Sequence, residues 1–345
     1  MPTLHDKDPL YLHARQLVLF HNDPSISLLQ RRLRIGYEQA RALRDALVGD
    51  ILEHHPQDDS WQIAASADRS TDFLQAQKIA QAAQWIAEAP ALVIAAGAGM
   101  GIDSGLPDFR GDQGFWRAYP ALGRHGLGFS DIASPHAFAQ QPEVAWGFYG
   151  HRLQRYRTTT PHAGFEILRR WGAAMAQGCF VFTSNVDGQF QRAGFAPARV
   201  YECHGSIHSL QCAANCTGRI WSASDLQPQV DEAACQWLGE LPRCPNCGAL
   251  LRPNILMFDD WQWNPQRSAA QRERLDRWLD QVAAPLVIEI GAGRAVSTVR
   301  QFSQRMRQRG SRLIRINLHE ANIHNPQDIE LVLGARQALE AMAGY

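Results

Sequence analysis

Ala91-Leu-Val-Ile-Ala-Ala-Gly-Ala-Gly-Met-Gly101 is the stretch that decides the fold class. Its first six residues form an unbroken apolar run with no alternation. That pattern suits a strand buried on both faces, as in a parallel sheet. The run leads directly into Gly97, Gly99 and Gly101. A strand that ends in a glycine-rich turn is the layout of dinucleotide-binding folds, in which backbone N–H groups approach a pyrophosphate closely. By itself the turn also fits an ordinary tight loop. Upstream, Phe73, Ala76, Ala80 and Ala83 fall on one face of a helix predicted to end near Pro90. Downstream, Pro285-Leu-Val-Ile-Glu-Ile290 is a second apolar strand that runs into Gly291-Ala-Gly-Arg294.

The rest of the chain narrows the class. At 345 residues there is room for about two domains. Lys plus Arg and Asp plus Glu are both 34, a net charge of 0, which excludes nucleic-acid binding by bulk charge. Hydrophobic content of 45% with 20% charged residues is a globular composition, not a disordered one. No apolar run approaches the roughly 18 residues needed to span a bilayer, and residues 1–9 contain no apolar signal core. Seven cysteines, mostly clustered, predict one metal site in a cytoplasmic chain, not a disulfide scaffold.

Cys212-Ala-Ala-Asn-Cys216 and Cys244-Pro-Asn-Cys247 flank 27 residues. Two close cysteine pairs at this spacing predict a tetrahedral structural zinc held by Cys212, Cys216, Cys244 and Cys247. A ribbon that has lost its metal is the alternative. Four thiolates leave no open coordination position, so a hydrolytic zinc is not expected. Cys179, Cys203 and Cys235 are read as packing residues.

The full string Gly97-Ala-Gly-Met-Gly-Ile-Asp-Ser-Gly-Leu-Pro-Asp-Phe-Arg-Gly111 resembles the NAD-binding signature of the sirtuins. Other motifs follow in that family's order across about residues 72–340. Gln113-Gly-Phe-Trp116 is similar to its Gly-Leu-Trp segment, Thr183-Ser-Asn-Val-Asp187 to its Thr-Gln-Asn-Ile-Asp, and His204-Gly205 to its catalytic His-Gly. Ile316-Asn317 matches an Asn that touches the adenosine ribose in the family. There are departures. Ser184 replaces a Gln, and Gly291-Ala-Gly lacks the hydroxyls of the family's Gly-Thr-Ser.

The resemblance implies an α/β fold: a Rossmann-like parallel sheet with an inserted zinc ribbon and a helical lobe. The catalytic unit would span 72–345, with the zinc module at about 205–252. It implies NAD consumed as a co-substrate and an acylated protein lysine as the partner. His204 would be the base that takes a proton from a ribose hydroxyl, and Asn185 would hold a water or ribose hydroxyl. Asp187 would bind the nicotinamide amide, and Phe109 would shield the reactive centre. Gly97, Ala98, Gly99, Asp108, Arg110, Ser184, Gly291, Gly293 and Asn317 complete the implied NAD contacts. The implied reaction is lysine deacylation releasing nicotinamide and O-acyl-ADP-ribose. ADP-ribosyl transfer to protein, or NAD hydrolysis, stays open through Ser184, Ala292, Gly293 and Asp259. A non-enzymatic NAD-sensing regulator that binds DNA is the third reading.

Two segments bear on the acyl substrate. Tyr149-Gly-His-Arg152 puts Tyr and Arg on one helix face. In the sirtuin branch that prefers succinyl or malonyl lysine, such a pair clamps the acyl carboxylate, which an Arg fork suits. Packing alone is the other reading. Leu251-Arg-Pro-Asn-Ile-Leu-Met-Phe258 resembles the substrate strand, which makes Ile255, Met257 and Phe258 the implied contacts. The following Asp259-Asp260-Trp261-Gln-Trp263 departs from the family and predicts either an altered peptide preference or a rigid surface loop.

The N-terminal unit, 1–68, is predicted to be helical. Leu10, Ala14 and Leu17 share a face, Ser27-Leu-Leu-Gln30 is a capping-box pattern, and Gly36 separates a third helix from Tyr37 onwards. Trp61-Gln62-Ile63 is a candidate wing strand, and 54–70 reads as a linker. The order fits a helix-turn-helix or a three-helix docking module. Ile26-Ser-Leu-Leu-Gln-Arg-Arg-Leu-Arg-Ile-Gly-Tyr37 resembles the winged-helix gamma domain of FtsK-type DNA translocases. That implies DNA as a partner, with Arg31, Arg32 and Arg34 on phosphates. Yet Glu38 and Gln39 occupy the positions with which that family reads bases, and residues 1–66 carry seven basic against nine acidic side chains.

Overall fold

The computed structural model describes residues 9–33, 35–55, 60–64, 70–107, 111–323 and 325–345. Its centre is a six-stranded parallel sheet. The strand order is Ile329–Leu331, Leu313–Ile316, Leu286–Ile290, Leu92–Ala96, Cys179–Thr183 and Val200–Glu202. The apolar run 91–96 is therefore a central strand, buried along its whole length. Alternation divides its side chains between two cores. Leu92, Ile94 and Ala96 join the helices Ser70–Glu88, Ala163–Ala174 and Ala335–Ala343 on one face. Val93 and Ala95 join Gln266–Leu279 and Thr298–Gln308 on the other. The chain crosses to opposite sides of Leu92–Ala96, so the carboxyl ends of Leu92–Ala96 and Leu286–Ile290 form the switch-point crevice where such sheets take ligands.

The helix Ser70–Glu88 buries a different face from the one its sequence suggests. Ile79, Ala82 and Ile86 point into the core, whereas Ala76 is exposed and Ala80 and Ala83 are half-buried. Isoleucine removes more apolar area from water than alanine, so the two Ile residues set the rotation. The side chain of Phe73 lies outside the described residues.

Residues 111–158 and the zinc module share a separate core. It includes Phe115, Trp146, Phe148, Tyr149, Cys212, Cys244 and Ile255. The helix Pro142–Thr158 runs through it. Gly147 sits where a Cβ would come within 2.2 Å of the Cys235 carbonyl oxygen, so only glycine allows the helix to lie against that turn. The module's sheet is antiparallel, in the order Leu251–Ile255, Gly205–Cys212, Ile220–Ser222.

The N-terminal unit has helices Pro9–His21, Ile26–Leu33 and Tyr37–Ala46, followed by the hairpin Leu52–His55 and Ser60–Ile63. It has its own small core, with Ala14, Leu17, Leu29, Leu43 and Ile51. Two expectations are corrected here. The second helix is capped by Ser25, whose Oγ accepts the Leu28 N–H at 3.1 Å, so the cap lies two residues before Ser27. The stretch 54–70, read as a linker, contributes His54, His55 and Ser60–Ile63 to this hairpin, where His54 stacks on Trp61 and Arg44 covers the same indole; 56–59 and 65–69 lie outside the described residues.

Candidate active site

The two glycine loops meet backbone to backbone at the switch point. The Gly97 N–H donates to Ile290 O at 2.9 Å, and the Gly99 N–H to Gly291 O at 3.0 Å. A Cβ on Gly99 would stand 2.6 Å from Gly291 Cα, and one on Gly97 2.7 Å from Gly291 O. Gly291 has φ +62, in the left-handed region. These amides are therefore engaged within the protein. The glycines are required by loop-on-loop contact, a different role from the pyrophosphate approach expected of Gly97 and Gly99. Ala98 is exposed and Gly293 is exposed beside Glu320.

The loop after Cys179–Thr183 is tied to the same place. Thr183 Oγ1 donates to Ala96 O at 2.9 Å and accepts the Asn185 N–H at 3.0 Å. Asn185 Nδ2 donates to Gly97 O at 2.9 Å, and the Ser184 N–H donates to Ala96 O. Asn185 and Ser184 thus border the glycine turn. Asp187 is buried, with Oδ1 accepting the Gln189 N–H at 2.9 Å. Its carboxyl is pushed up to about 6, chiefly by burial and in part by the nearby Glu202, against the Gln189 N–H bond and Arg152, which lower it.

His204 follows the edge strand Val200–Glu202 and is half-buried. Its Nε2 lies 3.2 Å from Thr298 Oγ1, and its carbonyl accepts the Leu256 N–H at 2.9 Å. Burial lowers its pKa, which keeps the imidazole neutral and able to accept a proton. Gly205 has φ +82, and a Cβ there would be 2.0 Å from Asn254 O. The His-Gly pair therefore needs glycine to lie against the strand Leu251–Ile255.

Other sequence candidates are placed differently. Asp108, Phe109 and Arg110 lie outside the described residues. Asn317 is buried and committed to the fold: Nδ2 donates to Ala292 O, and Oδ1 accepts the His319 and Glu320 N–H groups. It holds the turn at 317–320. Of the three substrate-strand residues, Ile255 and Met257 are 6% exposed and face the lobe core, while Phe258 is 39% exposed beside Leu256 at 38%. Tyr149 and Arg152 share the interior face of Pro142–Thr158, both buried.

The loop 259–263 divides the two readings of its carboxylates. Asp260 is fully buried and grips Arg252 with two bonds, 2.7 and 2.8 Å. It also accepts the Met257 and Gln262 N–H groups. Asp260 is therefore an internal brace. Trp261, next to it, is 96% exposed.

Cys212, Cys216, Cys244 and Cys247 place their sulfurs within 4.8 Å of one another, with two pairs at 3.6 Å. Zn–S bonds of about 2.3 Å in a tetrahedron require sulfur spacings of about 3.8 Å. The four cysteines are positioned to bind a structural zinc. Cys203 and Cys235 are buried packing residues, and Cys179 packs partly buried against the sheet core.

Three contributors escaped the sequence. Thr298 opens a helix after the second glycine loop, and its signal was only a hydroxyl at that position. Glu202 is buried two residues before His204, paired with Arg267 and accepting from Gln271 Nε2 at 3.3 Å. Tyr156 accepts two bonds from Arg152. The partners of Glu202 and Thr298 are distant in sequence, so no local pattern announces them.

Residues 97–288 match the Sir2 family model, and residues 5–51 match the Ftsk gamma domain model. The chain is 31% identical over 265 residues to NAD-dependent protein deacylase 1 of Archaeoglobus fulgidus, covering 75% of this chain and 94% of the relative. It is 30% identical over 247 residues to the mitochondrial NAD-dependent protein deacylase sirtuin-5 of Danio rerio, covering 67% of this chain and 75% of the relative. Among solved structures, the crystal structure of a Sir2 homolog–NAD complex superposes with a TM-score of 0.59 at 25% identity, covering 76% of this chain and 92% of that one. Among the described residues, no helix is long and apolar enough to cross a membrane.

Proposed function

The chain belongs to the Sir2 family, and from that premise we propose that it is an NAD-dependent protein lysine deacylase. The observation that carries the reading is the setting of His204. It is a half-buried imidazole kept neutral by burial, hydrogen-bonded to Thr298, and joined through its own carbonyl to the strand Leu251–Ile255 and its extension. A neutral imidazole there serves as general base for a ribose hydroxyl. Asn185, bonded to Gly97 O, borders the turn at which NAD is expected, and the buried carboxyl of Asp187 follows two residues later on the same loop. In the overall reaction, NAD, an acyl-lysine and water give nicotinamide, O-acyl-ADP-ribose and lysine. Structural zinc holds the module that carries the substrate strand.

We assign residues 72–345 to catalysis and 1–68 to an appended unit. Tyr149 and Arg152 are the acyl-facing pair in this reading, which extends the activity to succinyl and malonyl lysine. The relatives are named deacylases, a class not restricted to acetyl groups, which is compatible with that extension. A cytoplasmic location is part of the same proposal and is supported by the use of the cysteines: four form the zinc set and Cys179, Cys203 and Cys235 carry no disulfide. The appended unit is assigned to duplex DNA through phosphate contacts. Arg31 and Arg32 are exposed at the end of Ile26–Leu33. Exposed Glu38 disfavours base readout on the third helix.

The test is nicotinamide release from NAD with acetyl-, succinyl- and unmodified-lysine peptides, followed by mass spectrometry, beside His204→Ala. Acyl-dependent release that the substitution abolishes is expected. Release without acyl peptide, or transfer of ADP-ribose to protein, would replace the deacylase reading. A salt-dependent shift of duplex DNA by the full chain tests the N-terminal assignment.

A further inference from the structure

The environment of Arg152 carries an inference that rests on the deacylase reading and its Tyr149–Arg152 pair. Arg152 and Tyr156 lie one turn apart on Pro142–Thr158. Arg152 Nε donates to Tyr156 Oη at 2.9 Å and Nη2 donates to the same oxygen at 2.7 Å. One phenol oxygen thus spans the Nε/Nη2 edge, one of the two through which a guanidinium grips a carboxylate by two parallel bonds. Both side chains are buried, at 7% for Arg152 and 5% for Tyr156. The guanidinium carbon is 5.0, 5.6 and 5.3 Å from the rings of Phe148, Tyr149 and Tyr156. Tyr156 is also anchored from behind. Its backbone oxygen accepts Gln189 Nε2 at 3.2 Å, and the Gln189 N–H binds Asp187. The phenol is therefore held between the acyl-facing arginine and the Asp187 loop.

We propose that Tyr156 sets acyl selectivity by occupying the carboxylate-gripping edge of Arg152. An acyl chain ending in a carboxylate engages that edge only by displacing the Tyr156 hydroxyl. A neutral acetyl group leaves the Arg152–Tyr156 pair intact. The exchange is favoured because a carboxylate is a stronger acceptor than a phenol oxygen. It is opposed because the displaced hydroxyl stays buried and needs a new partner. Tyr156 thereby acts as a threshold that admits acidic acyl groups at reduced affinity.

The experiment compares wild-type full-length protein, Tyr156→Phe and Arg152→Met. It measures kcat/KM for succinyl-lysine and acetyl-lysine versions of one peptide, and binding of both peptides by calorimetry. Phenylalanine keeps the ring and removes the competing oxygen. The succinyl-to-acetyl ratio is expected to rise about tenfold in Tyr156→Phe, equivalent to about 1.4 kcal/mol, mainly through KM, and to collapse in Arg152→Met. Tyr156→Leu must shift the ratio in the same direction, which guards against a misfolded first variant. A flat or lowered ratio in Tyr156→Phe overturns the proposal while Arg152→Met still lowers it; a lowered ratio would mean that the hydroxyl assists the carboxylate. Indifference to Arg152→Met overturns the acyl-facing pair itself and the proposal with it. If no acyl peptide is turned over, the deacylase reading fails separately, and the calorimetric ratio still decides the role of Tyr156.

Discussion

His204 Nε2 and Thr298 Oγ1 stand 3.2 Å apart, although 94 residues separate them in the chain. The hydroxyl orients the imidazole from the far side of the crevice, at the start of the helix Thr298–Gln308. Thr298→Val keeps the shape and removes the bond. It is expected to lower kcat about tenfold, of the order of one hydrogen bond of about 1.4 kcal/mol, while Thr298→Ser retains most of the rate. Equal loss in both variants would assign Thr298 to packing. Because burial lowers the His204 pKa, the acid limb of kcat/KM should fall below the ordinary imidazole value of about 6.5. A limb above that value would contradict the base assignment.

Asp187 offers a test through stability. Burial pushes its carboxyl in the fold up to about 6, from an ordinary value of about 3.8. The unfolded chain therefore loses this proton first as pH rises. Between about pH 4 and 6 the fold is progressively penalised, by about 3 kcal/mol in all, and the penalty is complete above pH 6. Asp187→Asn should raise Tm at pH 7.5, and its advantage should shrink as pH falls to 5. A pH-independent difference would refute this. The same variant should weaken NAD binding if Asp187 holds the nicotinamide amide.

Zinc removal should melt the lobe before the sheet. Cys212 and Cys244 belong to the same apolar core as Trp146 and Phe148, so loosening the sulfur cluster loosens the helix Pro142–Thr158. One zinc per chain is expected by metal analysis. Cys216→Ser or a strong chelator should lower Tm and produce a separate early transition. A single unshifted transition would mean that the cluster stabilises nothing.

The Arg252–Asp260 pair is buried on both sides. Asp260→Asn leaves a buried guanidinium without its counter-charge and is expected to cost about 3–5 kcal/mol. Denaturant midpoints would measure it. Asp259→Asn, at an exposed neighbour, should change stability by less than about 0.5 kcal/mol. Equal effects would show that the loop has been read wrongly.

Legibility in the sequence followed the range of the interaction. The strand 91–96, its glycine turn and the paired cysteines are local patterns, and each appears where the spacing places it. The rotation of Ser70–Glu88 is not legible locally because alanine fits either face; only the packing of Ile79 and Ile86 against the sheet chooses between them. Asp260 reads as a loop carboxylate until Arg252 is seen beneath it. Asn317 was matched by motif, yet its amide is consumed by Ala292 and the turn it closes. Alternation gives Ile255 and Met257 one common direction, but not which side is interior. That depends on the lobe core beside them.

The contact between Gly99 and Gly291 is made of bare main chain, and its members are encoded almost two hundred codons apart. With no side chain on either surface, substitution offers no graded way to widen or narrow that seam; a residue there either is glycine or pushes the loops apart. Change of side chain is thus steered to the borders, to positions such as Ser184 and the exposed Gly293. Those are the places where a new side chain can alter the surroundings of a bound dinucleotide without opening the seam.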